Sequence, residues 1–382
     1  MRIAVVCYPT YGGSGVVATE LAIALAERGH DMHVVSYEMP FRLGKPMPNL
    51  RFHAVAVGEY PLFRHPPYTL NLTNKVIEVV EEHGVEIIHT HYAIPHAAAA
   101  WQAREVLREC GRKDRGGQAV RLACTLHGTD ITLVGRERGF YELTRFSIRR
   151  QDLVTVPSAW LADETATHFH TPREGIQVIP NFVDTVRFSP VADPTQAEWR
   201  KTLAPPDWKV LTHISNFRPV KRLEEVVGAF AVLRRRMKAV LVLVGDGPEL
   251  PKAEQIARDL GIRDDLRILG QQRPEPVLQA SDLFLMPSRS ESFGLAALEA
   301  MACGVPVLGY FAGGLPEVVE DGVSGLLCPE GSDICLGSLA ANLLENTERY
   351  AAMRRAARER ALRFAPAPIV DAYEKSLAAL LS

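Results

Sequence analysis

The sequence predicts an α/β protein built from two Rossmann-like, doubly wound domains. Three observations carry this. Short apolar runs of strand length alternate with stretches of helical periodicity along almost the whole chain. The alternation stops at a segment rich in Pro and Asp, PNFVDTVRFSPVADPT, and then restarts. And 382 residues are too many for one typical domain.

In the first series, RIAVVCY (2–8), MHVVSYE (32–38), EIIHTHY (86–92), VRLACTLH (120–127) and DLVTVPS (152–158) read as buried strands. Helical stretches such as VVATELAIALAERG lie between them, with Leu21, Ile23, Ala24 and Leu25 apolar and Gly29 as a stop. The second series is KVLTHIS (209–215), AVLVLVGDG (239–247), DLRILGQ (265–271), DLFLMPS (282–288) and VPVLGY (305–310). The closing helices, roughly 333–381, are broken by Pro366 and Pro368, so the last is expected to turn away from its own domain. This gives domains at 1–185 and 186–365, with 366–382 expected to pack back on the first. Doubly wound sheets hold ligands at the carboxyl ends of their strands, and an inter-domain cleft is expected there.

Composition excludes several classes. A net charge of −2 offers no global attraction for nucleic acid or an anionic membrane. Six cysteines without a C-x-x-C read as free thiols of a reducing compartment. The opening apolar run is too short for a signal peptide or a span, so a cytoplasmic protein with no integral membrane contact is expected. Monomer and homo-oligomer are both open.

Several strand ends carry residues suited to chemistry. Gly12, Gly13 and Gly15 flank Ser14 where the first strand runs into a helix. Such a loop lets backbone approach a phosphate at a helix start, or is simply a tight strand–helix turn. Gly13–Ala18 also fits G-x-G-x-x-A with Glu38 about twenty residues on, the pattern of a dinucleotide site. After KVLTHIS, the loop SNFRPVKR offers Asn216, Arg218 and Lys221. A guanidinium fork and an ammonium suit a diphosphate, although solvated loop charges look the same. His127 ends a buried strand, where structural and catalytic roles are equally open. His89 and His91 share a strand face, but no carboxylate or cysteine cluster accompanies them, so no metal is expected. In ESFGLAALE, Glu291 lies in a loop and Glu299 more than a turn along the next helix, about 10 Å away at ~1.5 Å per residue. The amides of Phe293, Gly294 and Leu295 lie between. The two glutamates are either acceptors flanking a diphosphate or a cap and a face residue.

Taken together, GGSG (12–15), SNFRPVKR (215–222), VGDGPE (244–249), ESFGLAALEAMACGVPV (291–307) and GGLPEVVEDGVSGLL (313–327) resemble glycosyltransferase family 4. The likeness runs nearly end to end. It implies the GT-B fold, retention of anomeric configuration, an acceptor-binding first domain and a nucleotide-sugar-binding second. CYPTYGGSGVVATELA, PFRL (40–43), THYAIPHA (90–97) and LHGTDIT (126–132) are similar to the members that make the first intermediate of bacillithiol. The resemblance therefore implies UDP-N-acetylglucosamine as donor, L-malate as acceptor, and no essential metal or other cofactor. On matching positions it implies that Gly13 meets the β-phosphate and Arg218 and Lys221 the diphosphate. Glu291 would hold the donor sugar, Glu299 the ribose, and His127 would stand beside the sugar. Asn216, Phe293, Gly294 and Leu295 complete the donor set. For the acceptor, Ser14, Tyr92 and Thr129 are the strand-end candidates. Arg145 is the candidate cation, unless it is a solvated helix face. One departure from the family pattern is Tyr310–Phe311 before Gly313–Gly314, where smaller or polar residues are expected.

Overall fold

The computed structural model describes residues 1–9, 12–44, 46–57, 67–111, 119–191 and 198–382. The chain divides into two compact units, 1–181 with 367–382, and 182–366.

Among the described residues the first unit holds a parallel seven-stranded sheet in the order β3-β2-β1-β4-β5-β6-β7. Its strands are β1 Arg2–Val6, β2 Asp31–Ser36, β3 Leu50–Ala54, β4 Ile87–His91, β5 Arg121–Thr125, β6 Leu153–Val156 and β7 Ile176–Val178. The connecting helices are α1 Gly13–Glu27, α2 Tyr68–His83, α3 Ala98–Glu109, α4 Thr129–Thr132, α5 Tyr141–Arg149 and α6 Ala159–Phe169. Helices cover both faces, so β1 and β4 are almost wholly buried and read as continuous apolar runs. Three strands escaped the sequence reading, Gly325–Cys328 of the second unit and two in this one. β3 is the edge strand and half exposed, and β7 is only three residues long, so neither shows a buried apolar run.

The second unit repeats the plan with the order β10-β9-β8-β11-β12-β13. Its strands are β8 Lys209–Ile214, β9 Ala239–Val244, β10 Leu266–Ile268, β11 Leu283–Met286, β12 Val307–Tyr310 and β13 Gly325–Cys328. Its helices are α7 Glu198–Leu203, α8 Leu223–Arg234, α9 Leu250–Asp259, α10 Pro274–Gln279, α11 Leu295–Ala302, α12 Leu315–Val318, α13 Asp333–Glu345 and α14 Thr347–Leu362. One face of the sheet packs on α8, α9 and α13, the other on α11 and α14. Serine and asparagine side chains cap the helices where the sequence offers them. Ser332 accepts from Cys335 N and Asn346 from Arg349 N.

The Pro/Asp-rich segment contains the division between the two units, but it does more than connect them. It is not a bare linker, because Val183 and Phe188 are buried in the core of the second unit. Arg358 donates to the carbonyls of Thr185 and Phe188. The division therefore falls at Asn181/Phe182, ahead of the 185/186 expected from composition.

After α14 the chain turns at Pro366, and α15, Pro366–Ala378, packs within the first unit. Ile369, Val370, Tyr373 and Leu377 are its buried face. Arg28 pairs with Asp371 and Glu374, and His30 with Glu374 at 2.7 Å.

In both sheets the order reverses beside one strand, between β1 and β4 and between β8 and β11. Loops leaving these strand ends diverge and open a crevice, which is where such sheets bind ligands.

Candidate functional site

In the second unit the crevice is built by the loops after β8 and β11. The β8 loop is held from below by His213, which is fully buried. Its Nδ1 lies 2.8 Å from the Leu285 carbonyl and its Nε2 2.8 Å from Ser215 Oγ. A carbonyl only accepts, so Nδ1 carries the proton. Nε2 then accepts from Ser215, whose oxygen takes the Phe217 N–H at 3.2 Å. Burial holds this imidazole down to about 4, so it stays neutral and the chain of bonds keeps one direction. The loop after β9 closes on the same segment. A Cβ on Gly245 would stand 1.8 Å from the Ser215 carbonyl, at a φ of +126°, so only glycine fits there. Glu249 N donates to the Phe217 carbonyl and Arg289 N to that of Val220.

This bracing sets out the expected residues. Phe217 is buried, while Asn216 and Arg218 on either side are exposed. Among the described residues the Arg218 guanidinium has no ion pair. Lys221 reaches across to the β11 loop, its Nζ 2.6 Å from Glu291 Oε1. Glu291 is only 7% exposed, so its charge is compensated by this ammonium, which has further donors left for a ligand. The Glu291 carbonyl accepts from Gly314 N at 2.7 Å, and Gly313 passes too close to Glu291 to carry a side chain. The sequence-expected pair of glutamates thus lies on one loop–helix unit. Gly294, at φ +97°, turns the chain into α11, Phe293 is buried beneath it, Leu295 is the first helical residue, and Glu299 is buried on the helix. The bulky Tyr310 has a simple account. It is fully buried at the end of β12 and donates to the Glu225 carboxylate on α8, while Phe311 is exposed.

In the first unit the crevice between β1 and β4 is lined by rings. Gly12 caps α1 in extended conformation, exposed Gly13 and half-buried Ser14 open its first turn, and Gly15 is buried. Residues 10–11 of this loop lie outside the described residues. Tyr92 leaves β4 at φ +90°. Its ring centroid is 5.4 Å from those of both Tyr8 and His127. His127 Nε2 is 2.8 Å from His91 Nδ1. His91 Nε2 is buried without a partner. A proton there would be an unsatisfied buried donor, so it belongs on Nδ1, and His127 then carries its own proton on Nδ1. Burial pushes His127 down to about 3, so it is a neutral donor and not an imidazolium. His96 Nδ1 donates to the His91 carbonyl at 2.5 Å and His89 Nε2 meets Thr125 Oγ1 at 2.8 Å. The two histidines of H-T-H are thereby engaged in the protein's own hydrogen bonds.

Sequence reasoning missed Asp130. Fully buried at the start of α4, it accepts from the amides of His127 (3.1 Å), Gly128 (2.9 Å) and Ala93 (3.0 Å). It ties the end of β5 to the turn after β4, and burial raises its carboxyl to about 6 against the pull of those amides. Its signal was present in LHGTDIT, an acid just inside a helix start. Thr129 opens that helix. Arg145 stands on α5, which packs against the 93–97 turn, 3.7 Å from the exposed Glu142. That pair is weak.

The profile of "Glycosyltransferase Family 4" matches residues 11–187, and that of "Glycosyl transferases group 1" matches 195–360. N-acetyl-alpha-D-glucosaminyl L-malate synthase of Bacillus anthracis is 42% identical over 98% of this chain and 96% of that protein. The chain belongs to glycosyltransferase family 4. D-inositol 3-phosphate glycosyltransferase of Saccharomonospora viridis is 30% identical, over 96% of this chain and 90% of its own. Among solved structures, Anabaena HepE in complex with UDP and glucose superposes with a TM-score of 0.84. It is 21% identical and 99% of each chain is covered, which shows the GT-B fold. Family membership replaces the dinucleotide reading. Gly13–Ala18 is the glycine turn of a glycosyltransferase, and Glu38 is simply exposed after β2.

Proposed function

We propose that the chain transfers N-acetylglucosamine from UDP-N-acetylglucosamine to the hydroxyl of L-malate with retention, the first step of bacillithiol biosynthesis, in the cytoplasm. The reading is carried by the 42% identity, nearly end to end, to a synthase of that name. The inositol-phosphate relative stands lower, at 30%. No helix among the described residues is long and apolar enough to cross a membrane.

In this reading the second unit holds the donor. Arg218 and Lys221 neutralise the diphosphate, the amides at Gly294 and Leu295 assist, Glu291 takes the sugar hydroxyls and Glu299 the ribose. The first unit holds the acceptor through Ser14, Tyr92, Thr129 and Arg145, with the Gly13 amide on the β-phosphate. The bond from the anomeric carbon to the diphosphate oxygen breaks and its electrons leave with UDP. The malate hydroxyl attacks the same face, and the departing phosphate takes its proton. His127, neutral and aimed by His91, donates to the sugar and is not a nucleophile. Cations on the protein take the role of a divalent ion, so chelator should leave the rate unchanged.

The test is UDP release from UDP-N-acetylglucosamine with a panel of acceptors. L-malate should far outpace L-lactate, glycerate and inositol 3-phosphate, because a site built for two carboxylates leaves donors unpaired when one is missing. Inositol 3-phosphate serving better would overturn the acceptor. Proton NMR of the product should show an α-glycoside; a β-anomer would overturn the mechanism.

A further inference from the structure

Three histidines far apart in sequence meet at the edge of the first sheet. β2 and β3 pair with His33 opposite Arg51 and Val35 opposite His53, so His33 and His53 face the same side. His83, the last residue of α2, covers that side. His33 Nδ1 is 3.0 Å from His53 Nε2. The His83 ring stacks on His33 at 4.4 Å and stands 5.1 Å from His53. One ring nitrogen from each of the three lies within 4.8 Å of the others.

The remaining polar groups favour a ligand. His33 is fully buried, and its Nε2, like that of His83, has no hydrogen-bond partner. Asp31 Oδ2 lies 3.5 Å from His33 Nε2, while its other oxygen holds Arg51 at 2.5 Å. The other nearby cation, Lys75, is paired with Glu78. Burial keeps His33 neutral, down to about 4, and lowers His53 as well. Neutral imidazole is the form that ligates, and burying unsatisfied ring nitrogens costs stability unless something meets them.

We propose that His33, His53 and His83 form a binding site for a divalent transition-metal ion of the zinc class, separate from the transfer machinery. Three imidazoles suit Zn²⁺, Ni²⁺ or Cu²⁺ and not Mg²⁺ or Ca²⁺. His33 binds through Nδ1 with its Nε2–H turned to Asp31, the carboxylate–histidine pairing that fixes a ligand ring. With metal–nitrogen bonds of about 2.0–2.1 Å a tetrahedral site sets its nitrogens about 3.3 Å apart, so the His33–His53 pair, now at 3.0 Å, opens slightly, the His83 nitrogen moves in, and a fourth position is left to water. The ion ties β2, β3 and the end of α2 together, so its effect is on stability and not on the reaction.

The test uses the full chain, stripped with chelator and titrated with Zn²⁺ by calorimetry and with Co²⁺ by visible absorption. One equivalent should bind, the Co²⁺ spectrum should show the intense bands of a four-coordinate site, and Tm should rise. His53→Gln and His83→Gln, at half-buried positions, should each abolish saturable binding while UDP release and circular dichroism stay as in the parent chain. Asp31→Asn should weaken binding about 10–100-fold. Absence of saturable binding in the parent overturns the site. So does binding that survives both histidine substitutions, since the ion then sits elsewhere, for instance on the His89–His127 rings.

Discussion

Lys221 and Glu291 form one object with two duties. The 2.6 Å pair compensates a buried carboxylate in the resting protein, and in the proposed reaction the same ammonium meets charge developing on the diphosphate. Lys221→Ala should therefore lower kcat on the order of 10²–10³-fold, the usual cost of losing one such donor, and not merely raise KM. Because the substitution also strands Glu291, its effect should be strongly non-additive with Glu291→Gln in a double-mutant cycle. A near-normal kcat for Lys221→Ala would rule out the assignment. The two glutamates should separate by ligand. Glu299→Ala weakens UDP itself, measured by calorimetry, whereas Glu291→Ala leaves UDP affinity nearly intact and impairs transfer. Equal losses of UDP affinity would contradict that division. Lys221 and Glu291 were legible because each stands in a short loop after an apolar strand, and Glu299 because it follows Glu291 by eight positions on the next helix. His213 was not, because inside KVLTHIS it is one polar letter in a buried strand, and its use of Leu285 and Ser215 is a matter of packing.

At the scale of elements, α15 shows which interactions decide docking. Its ion pairs to Arg28 and His30 are conspicuous but partly exposed, and such pairs contribute less than about 1 kcal/mol each. Tyr373, 1% exposed and 5.9 Å from the His89 ring, fills core space. Tyr373→Ala should cost about 3–5 kcal/mol of the first unit's stability, and Glu374→Ala under about 1 kcal/mol. Denaturant titration followed by hydrogen exchange on β4 and β5 checks both; comparable costs would show that charge and not packing holds the helix. The proline break announced that the helix changes direction. Its partners, some 340 residues away in sequence, left no local trace.

For the molecule as a whole, buried imidazoles set the response to acid. His33, His89, His96 and His213 are held down to about 4, His127 to about 3, and His91 well below its usual value, all chiefly by burial. A depressed folded pKa gives stability that is complete above the unfolded value of about 6.5 and is lost as pH falls toward the folded value. Asp130, raised to about 6, acts in the opposite sense, since its contribution is present at low pH and lost as pH rises through 6. Six histidines outweigh one carboxyl. Tm should fall steadily from about pH 7.5 to about pH 5; a flat or rising Tm over that window would contradict the burial of these rings.

The sequence by itself determined the doubly wound class, most of the strands, and the glycine, cation and glutamate positions at strand ends. Local patterns suffice there, because a strand buried on both faces must be apolar throughout and a loop at its end must carry the polar groups. Only the tertiary structure decided the rest. It placed Phe188 in a core and not in a linker, joined Lys221 to Glu291 across 70 residues, aimed His127 through His91, and gathered His33, His53 and His83 at one sheet edge. Each of these is a contact between residues whose neighbours in sequence say nothing about it. Burial and hydrogen bonding, which set a side chain's charge and direction, are created only when the sheets assemble.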